Sequence, residues 1–171
     1  MRLKTLDDVD VANKRVLVRV DFNVPMRDGK ITDTTRIDRA METLEELSSK
    51  GAKVVILSHF GRPKGEVVAD LSLKPIADAL AEISGKSVAF ADDCIGDVAK
   101  QTIDAAAWGS FIVLQNVRFH PGEEKNLDTF AADLAANGDI FVSDAFSTAH
   151  RAHASTEGVA HILPSVAGRL M

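Results

Sequence analysis

Four stretches of the 171-residue chain concentrate groups that bind or move charge. They are "DFNVP" with Asp21 and Asn23, "SHFGRP" with His59 and Arg62, "NVRFHPGEEKN" with Arg118 and His120, and "DAFSTAHRAH" with Asp144, His150, Arg151 and His153. Arg36, in "TRI", follows the first of them. Arginine presents a planar fork of donors that matches the oxygens of a carboxylate or a phosphate. Four arginines brought together would concentrate a small, multiply charged anion even in a chain of net charge −5. Gly61 and Pro63 bracket Arg62, which suits a tight turn that lets backbone approach a ligand. Asp21 and Asn23 do not fit a pure phosphate cup; they suit ligand hydroxyls, or a role in holding an arginine.

Short apolar runs precede these stretches. "RVLVRV" (15–20), "KVVILS" (53–58), "FIVLQ" (111–115) and "DIFVS" (139–143) read as strands, and "SVAF" (87–90) as a shorter one. Between them lie helical patterns. Ile37, Ala40, Met41, Leu44 and Leu47 recur at helical spacing and Gly51 stops them. Ser72 and Pro75 open a helix that Gly85 ends. "DVAKQTIDAA" reads as a third helix and "TFAADLAANG" as a fourth, with Asp128 as its N-cap and Gly138 past its end. The remainder from Ser155 reads as mostly helical. Its last segment, "HILPSVAGRLM", is either a helix packed on the core or a chain that stops short of a partner domain.

Apolar strands alternating with amphipathic helices predict an α/β fold: a doubly wound parallel sheet with helices on both faces, a Rossmann-like three-layer sandwich in one domain. Ligands of such sheets bind outside the carboxyl ends of the strands. The charged stretches fall there, so function is expected on that edge.

Other chemistries are less well served. "GKS" at 85–87 lacks the leading glycine of a phosphate-binding P-loop, having Leu80 in its place, and a strand follows it. No G-x-G-x-x-G follows a strand. His150 and His153, with Asp144 or His161, have a possible metal spacing, but Arg151 between them would repel a cation, and no metal is expected. The single cysteine, Cys94, lies among acids that disfavour its thiolate. The acidic balance and the lack of basic–aromatic interleaving argue against nucleic acid. The lone cysteine, the absence of a signal-like N-terminus and the short apolar runs set the expectation of a cytoplasmic protein without membrane spans.

"RVLVRVDFNVP", "TRI", "LSHFGRPKG", "NVRFHPGEEKN" and "DAFSTAHRAHAST" resemble, in order and spacing, the signature segments of the phosphoglycerate kinase family. The resemblance implies a glycolytic phosphotransferase that moves a phosphoryl group reversibly between 1,3-bisphosphoglycerate and ADP, giving 3-phosphoglycerate and ATP with magnesium. It assigns residues 1–171 to the N-terminal, phosphoglycerate-binding domain of a monomeric enzyme. The C-terminal domain that binds Mg-ATP or Mg-ADP has no counterpart in this chain, so no cofactor and no turnover are expected of the chain alone. Carried over by motif, Asp21, Asn23, His59, Arg62, Arg118 and Arg151 are substrate-binding, and Arg36 is both substrate-binding and catalytic. Gln115 stands where the family pattern has glutamate, and Ser143 where it has asparagine. The competing readings are a stand-alone, non-catalytic phosphate-ligand-binding module using the same arginines, and a structural domain with its apolar C-terminus as a contact surface.

Overall fold

The computed structural model describes residues 4–149 and 151–171. The strands of the main sheet are β1 (Arg15–Arg19), β4 (Lys53–Leu57), β5 (Val88–Ala91), β6 (Phe111–Leu114), β7 (Ile140–Ser143) and β8 (Ser165–Ala167). They lie in the order β5-β6-β4-β1-β7-β8, and every neighbouring pair is parallel. A two-stranded antiparallel hairpin, β2 (Met26–Arg27) with β3 (Lys30–Ile31), leaves the loop after β1.

The alternation within β1 assigns the two faces. Val16 and Val18 enter one core with Val54, Ile56, Phe111, Val113 and Val142. Helices α1 (Thr35–Ser49) and α2 (Lys74–Ser84) close that core through Ile37, Leu44, Leu47, Ile76 and Leu80. Leu17 enters the opposite core with Val55, Leu57, Ile112, Leu114 and Phe141. There α3 (Gly96–Ala105) and α4 (Asp128–Ala135) supply Ala99, Ile103, Phe130 and Leu134. The chain moves outward from β1 to β5 over one face and returns from β5 to β8 over the other, so the doubly wound prediction holds.

Three local expectations change. Asp128 is the first residue of α4 rather than its cap; extended Leu127 precedes it and accepts the Ala131 N–H at 3.0 Å. At that position the carboxylate still faces the positive end of the helix dipole. The segment after residue 153 is not one helix. A π turn (Ala154–Gly158) and a 3-10 turn (Val159–His161) lead into β8. Pro164 explains the change: it has no N–H to continue a helix and biases its predecessor towards extended backbone, while its carbonyl accepts the Phe141 N–H at 2.9 Å. The third change is the β2–β3 hairpin, a pairing that no strand pattern between the first strand and the first helix announces. No helix among the described residues is long and apolar enough to cross a membrane.

Asp144, just past β7, is 1% exposed. One carboxylate oxygen accepts the Leu170 N–H at 3.0 Å, and the other is buried without a hydrogen-bond partner among the described residues. Burial raises its pKa from 3.8 to about 6. A carboxyl whose folded pKa is raised stabilises the fold at acid pH and loses that contribution as pH climbs through the folded value. Asp144→Asn should therefore gain stability over the native chain at pH 8, by roughly 1–3 kcal/mol, and show no gain near pH 4. Thermal melts at the two pH values check this.

Candidate functional site

β6, β4, β1 and β7 are consecutive in the sheet, so the loops leaving their carboxyl ends lie side by side. Together with the first turn of α1 they line one cleft of about 240 Å³, formed by Asp21, Asn23, Arg36, His59, Gly61, Arg62, Arg118, Ser147, Thr148 and Arg151. The seven residues that the resemblance marks as substrate-binding are all among them. His150 lies outside the described residues.

The acidic wall organises one arginine. Arg36 Nη1 donates to Asp21 Oδ1 at 3.2 Å and to the Asn23 carbonyl at 2.6 Å. Asp21 also accepts the Asn23 N–H at 3.1 Å and the Ser147 hydroxyl at 2.6 Å. Asn23 Oδ1 accepts the Gly61 N–H at 2.9 Å, which ties the first loop to the second. The Arg36 side chain is 47% exposed, so its ion pair contributes little stability, about 0–1 kcal/mol. Its use is to aim a guanidinium that remains open to the cleft.

The basic wall is held by backbone. Gly61 has φ +64°, a left-handed conformation that turns the chain between His59 and Arg62. Arg118 Nη1 donates to the Gly61 carbonyl at 3.3 Å, while its Nε is buried and unpartnered among the described residues. Asn116 supports that turn: its Oδ1 accepts the Arg118 N–H, and its Nδ2 donates to the Phe60 and Leu71 carbonyls. Burial, then Arg151 and Arg62, oppose the Arg118 charge, while Glu124 and Glu123 favour it. Such crowded like charges are relieved by a bound anion.

His59 is 6% exposed. Its Nδ1 lies 2.8 Å from Nη2 of Arg19. A guanidinium has donors only, so Nδ1 accepts and Nε2 carries the proton. Burial first, then Arg19, Arg118, Arg151 and His153, pull its pKa to about 2. The ring is thus a neutral donor throughout the physiological range. A histidine with a depressed folded pKa stabilises the fold above its unfolded pKa and loses that contribution as pH falls below it. Between pH 6.5 and 4, the native chain should lose roughly 1–3 kcal/mol more stability than His59→Gln, read from denaturant midpoints.

Several residues of the sequence argument fall elsewhere. His120 leaves the cleft and pairs with Asp93 at 2.8 Å while stacking on Phe130. Asp93, Cys94 and His120 put potential ligand atoms within 4.8 Å of one another. Asp93 Oδ1 already accepts from the Cys94 and Ile95 backbone, and burial with Asp93 and Glu123 pushes the thiol up. These contacts tie loops together. His161 pairs with Glu157. Gln115 sits behind the site, accepting from the Leu73 and Asn116 N–H groups and donating to Ser72 and Asp92. A glutamate there could not donate to Asp92. Ser143 faces a separate groove with Phe141, Ala149 and Val166. Ser147 and Thr148 were missed, although they lie inside a stretch already flagged. Arg19 was missed too, although a charged residue in an apolar run signals it.

The fold and cleft define a doubly wound α/β domain with an arginine-lined pocket at the carboxyl edge of its sheet. A family model described as phosphoglycerate kinase matches residues 6–171. The phosphoglycerate kinase of Rhizobium meliloti (strain 1021) is 64% identical across the whole chain, which covers 43% of that relative. That of Rhodospirillum centenum is 60% identical, again with 43% of the relative covered. Among solved structures, phosphoglycerate kinase from Coxiella burnetii matches 99% of this chain and 42% of its own, with a TM-score of 0.89 at 40% identity. The Pyrococcus horikoshii OT3 enzyme gives 0.89 at 35% identity, with 99% and 43% covered. The chain belongs to the phosphoglycerate kinase family, and it spans about 43% of the length of the curated relatives it matches.

Proposed function

We propose that residues 1–171 are the phosphoglycerate-binding domain of a glycolytic phosphotransferase. Its reaction moves a phosphoryl group reversibly between 1,3-bisphosphoglycerate and ADP, with 3-phosphoglycerate and ATP on the other side. The observation that carries this is the convergence of Arg36, His59, Arg62, Arg118 and Arg151 on one cleft that Asp21 and Asn23 also line. Family membership narrows the anion to a phosphoglycerate.

In this reading Arg62, Arg118 and Arg151 hold the stable phosphate, with His59 Nε2–H as a neutral donor. Asp21 and Asn23 meet the glycerate hydroxyl and keep Arg36 aimed. Arg36 contacts the carboxylate and the phosphoryl in flight. Phosphoryl transfer needs little covalent help from protein; positioning and charge stabilisation dominate. Magnesium and the nucleotide belong to a second, C-terminal domain, which supplies the phosphoryl donor or acceptor. The chain alone then binds phosphoglycerate without turning it over. The enzyme works in the cytoplasm as a monomer.

Calorimetric titration of 3-phosphoglycerate into the chain tests the reading. One saturable site is expected, weakening as salt rises because charge attraction is screened by ions. A folded chain that takes up no 3-phosphoglycerate at low salt refutes it. A stand-alone sensor would bind in the same way, and a reading frame continuing into a nucleotide-binding half decides against it.

A further inference from the structure

Beneath the cleft lies a charged chain with no exposure to solvent. Arg19, Ser155 and Glu123 are each 0% exposed. A fully buried arginine in the central strand of a parallel sheet is costly unless its nitrogens find hydrogen-bond partners. Arg19 Nε donates to Ser155 Oγ at 2.8 Å, Nη1 to the Val20 carbonyl, and Nη2 to His59 Nδ1 at 2.8 Å. The Ser155 hydroxyl, having accepted from Arg19, donates to Glu123 Oε2 at 2.6 Å, and the Ser155 N–H donates to Glu123 Oε1 at 2.8 Å. Three elements meet here: β1, the loop after β6 and the π turn after β7.

We infer that Arg19 is a positioning residue that, anchored through Ser155 to Glu123, fixes His59 in the cleft as an Nε2–H donor. The inference deepens the proposed function and rests on its reading of the cleft as a phosphoglycerate site. The directions of the hydrogen bonds carry it. Arginine can only donate, so Nδ1 must accept and the proton must sit on Nε2. Ser155 has one hydroxyl proton, which Glu123 takes, so its oxygen is free to hold Arg19 in place. Glu123 also supplies the charge that favours a cationic Arg19 in this buried setting. A neutral donor with a fixed tautomer needs no reorganisation when an anion arrives. The charged or titratable groups acting on His59 are Arg19 from β1, Arg118 from the turn after β6, and Arg151 and His153 from the segment after β7. All four oppose its protonation.

Nitrogen NMR of the imidazoles in the unliganded chain provides the first readout, because it separates a protonated ring nitrogen from a bare one. His59 should show a bare Nδ1 and a protonated Nε2, unchanged from neutral pH down to about pH 5. A protonated Nδ1, or an imidazolium in that range, overturns the inference. Arg19→Met keeps an unbranched, flexible side chain and removes every donor. In it, His59 should populate both tautomers and titrate at least about one pH unit higher than in the native chain. If Arg19→Met does not fold, Ser155→Ala replaces it: Arg19 loses its Nε anchor, and Nδ1–H should become detectable. An unchanged His59 spectrum in the variant that folds counts against the relay.

The second readout is a double-mutant cycle on 3-phosphoglycerate affinity with Arg19→Met, or Ser155→Ala in its place, and His59→Ala. If the buried group acts through His59, the double variant binds within about two-fold of the weaker single variant. Fully additive losses would mark a merely structural role and overturn the inference. The two proposals fail separately. The expected tautomer without phosphoglycerate binding sinks the proposed function alone, whereas binding with Nδ1–H on His59 sinks only the positioning role.

Discussion

On the proposed function, Arg36→Ala in a full-length enzyme that carries this domain should lower kcat about a hundred- to a thousand-fold while the KM for 3-phosphoglycerate changes far less. The asymmetry follows from how Arg36 is held. One of its nitrogens is committed to Asp21 and the Asn23 carbonyl. The guanidinium is therefore placed before substrate arrives, and half of the side chain stays open to the cleft. A preplaced cation beside a phosphoryl in flight acts chiefly on charge that spreads over its oxygens in the transition state. Arg36→Lys should recover only part of the rate, because an ammonium supplies charge without the planar fork. Steady-state kinetics in both directions decide the matter. A rise in KM with kcat unchanged would make Arg36 a ground-state binding residue.

Arg118→Ala should weaken 3-phosphoglycerate binding by about ten- to a hundred-fold, since a charge-assisted hydrogen bond is worth roughly 1.5–3 kcal/mol. Its stability should stay within about 1 kcal/mol of the native chain without ligand. Two opposing effects give that balance. The variant loses the contact with the Gly61 carbonyl but is freed of a buried, unpartnered Nε and of repulsion from Arg151 and Arg62. Calorimetry measures the first quantity and thermal melting the second. A large loss of stability with unchanged affinity would make Arg118 a structural residue of the turn. Arg151→Ala, at an exposed position, should show the same order of affinity loss.

Much of this site was legible in the sequence for a specific reason. Each functional loop follows a strand that is apolar on both faces, so "RVLVRV", "KVVILS", "FIVLQ" and "DIFVS" announce where the carboxyl edge lies. Asp21, Asn23, His59, Arg62, Arg118 and Arg151 sit a few residues beyond those runs, and Arg36 opens α1. What escaped depends on contacts distant in the chain. Ser155 and Glu123 look like ordinary turn residues until folding brings them to Arg19 across the sheet. The Asp144 environment depends on a backbone N–H at Leu170. β8 is only three residues long, and the apolar residues around it extend a helical-looking run; Pro164 is the contrary signal. Asp128 reads as a cap because residue type alone does not distinguish the cap from the first helical residue.

A structure of the chain with 3-phosphoglycerate tests the central claim most directly. The phosphate is expected against Arg62, Arg118 and Arg151 with His59 Nε2 in hydrogen-bond reach, the glycerate hydroxyl towards Asp21 and Asn23, and the carboxylate towards Arg36. A phosphoglycerate bound outside this cleft, or inside it with its phosphate away from those three arginines, would rule out the cleft as the phosphate site.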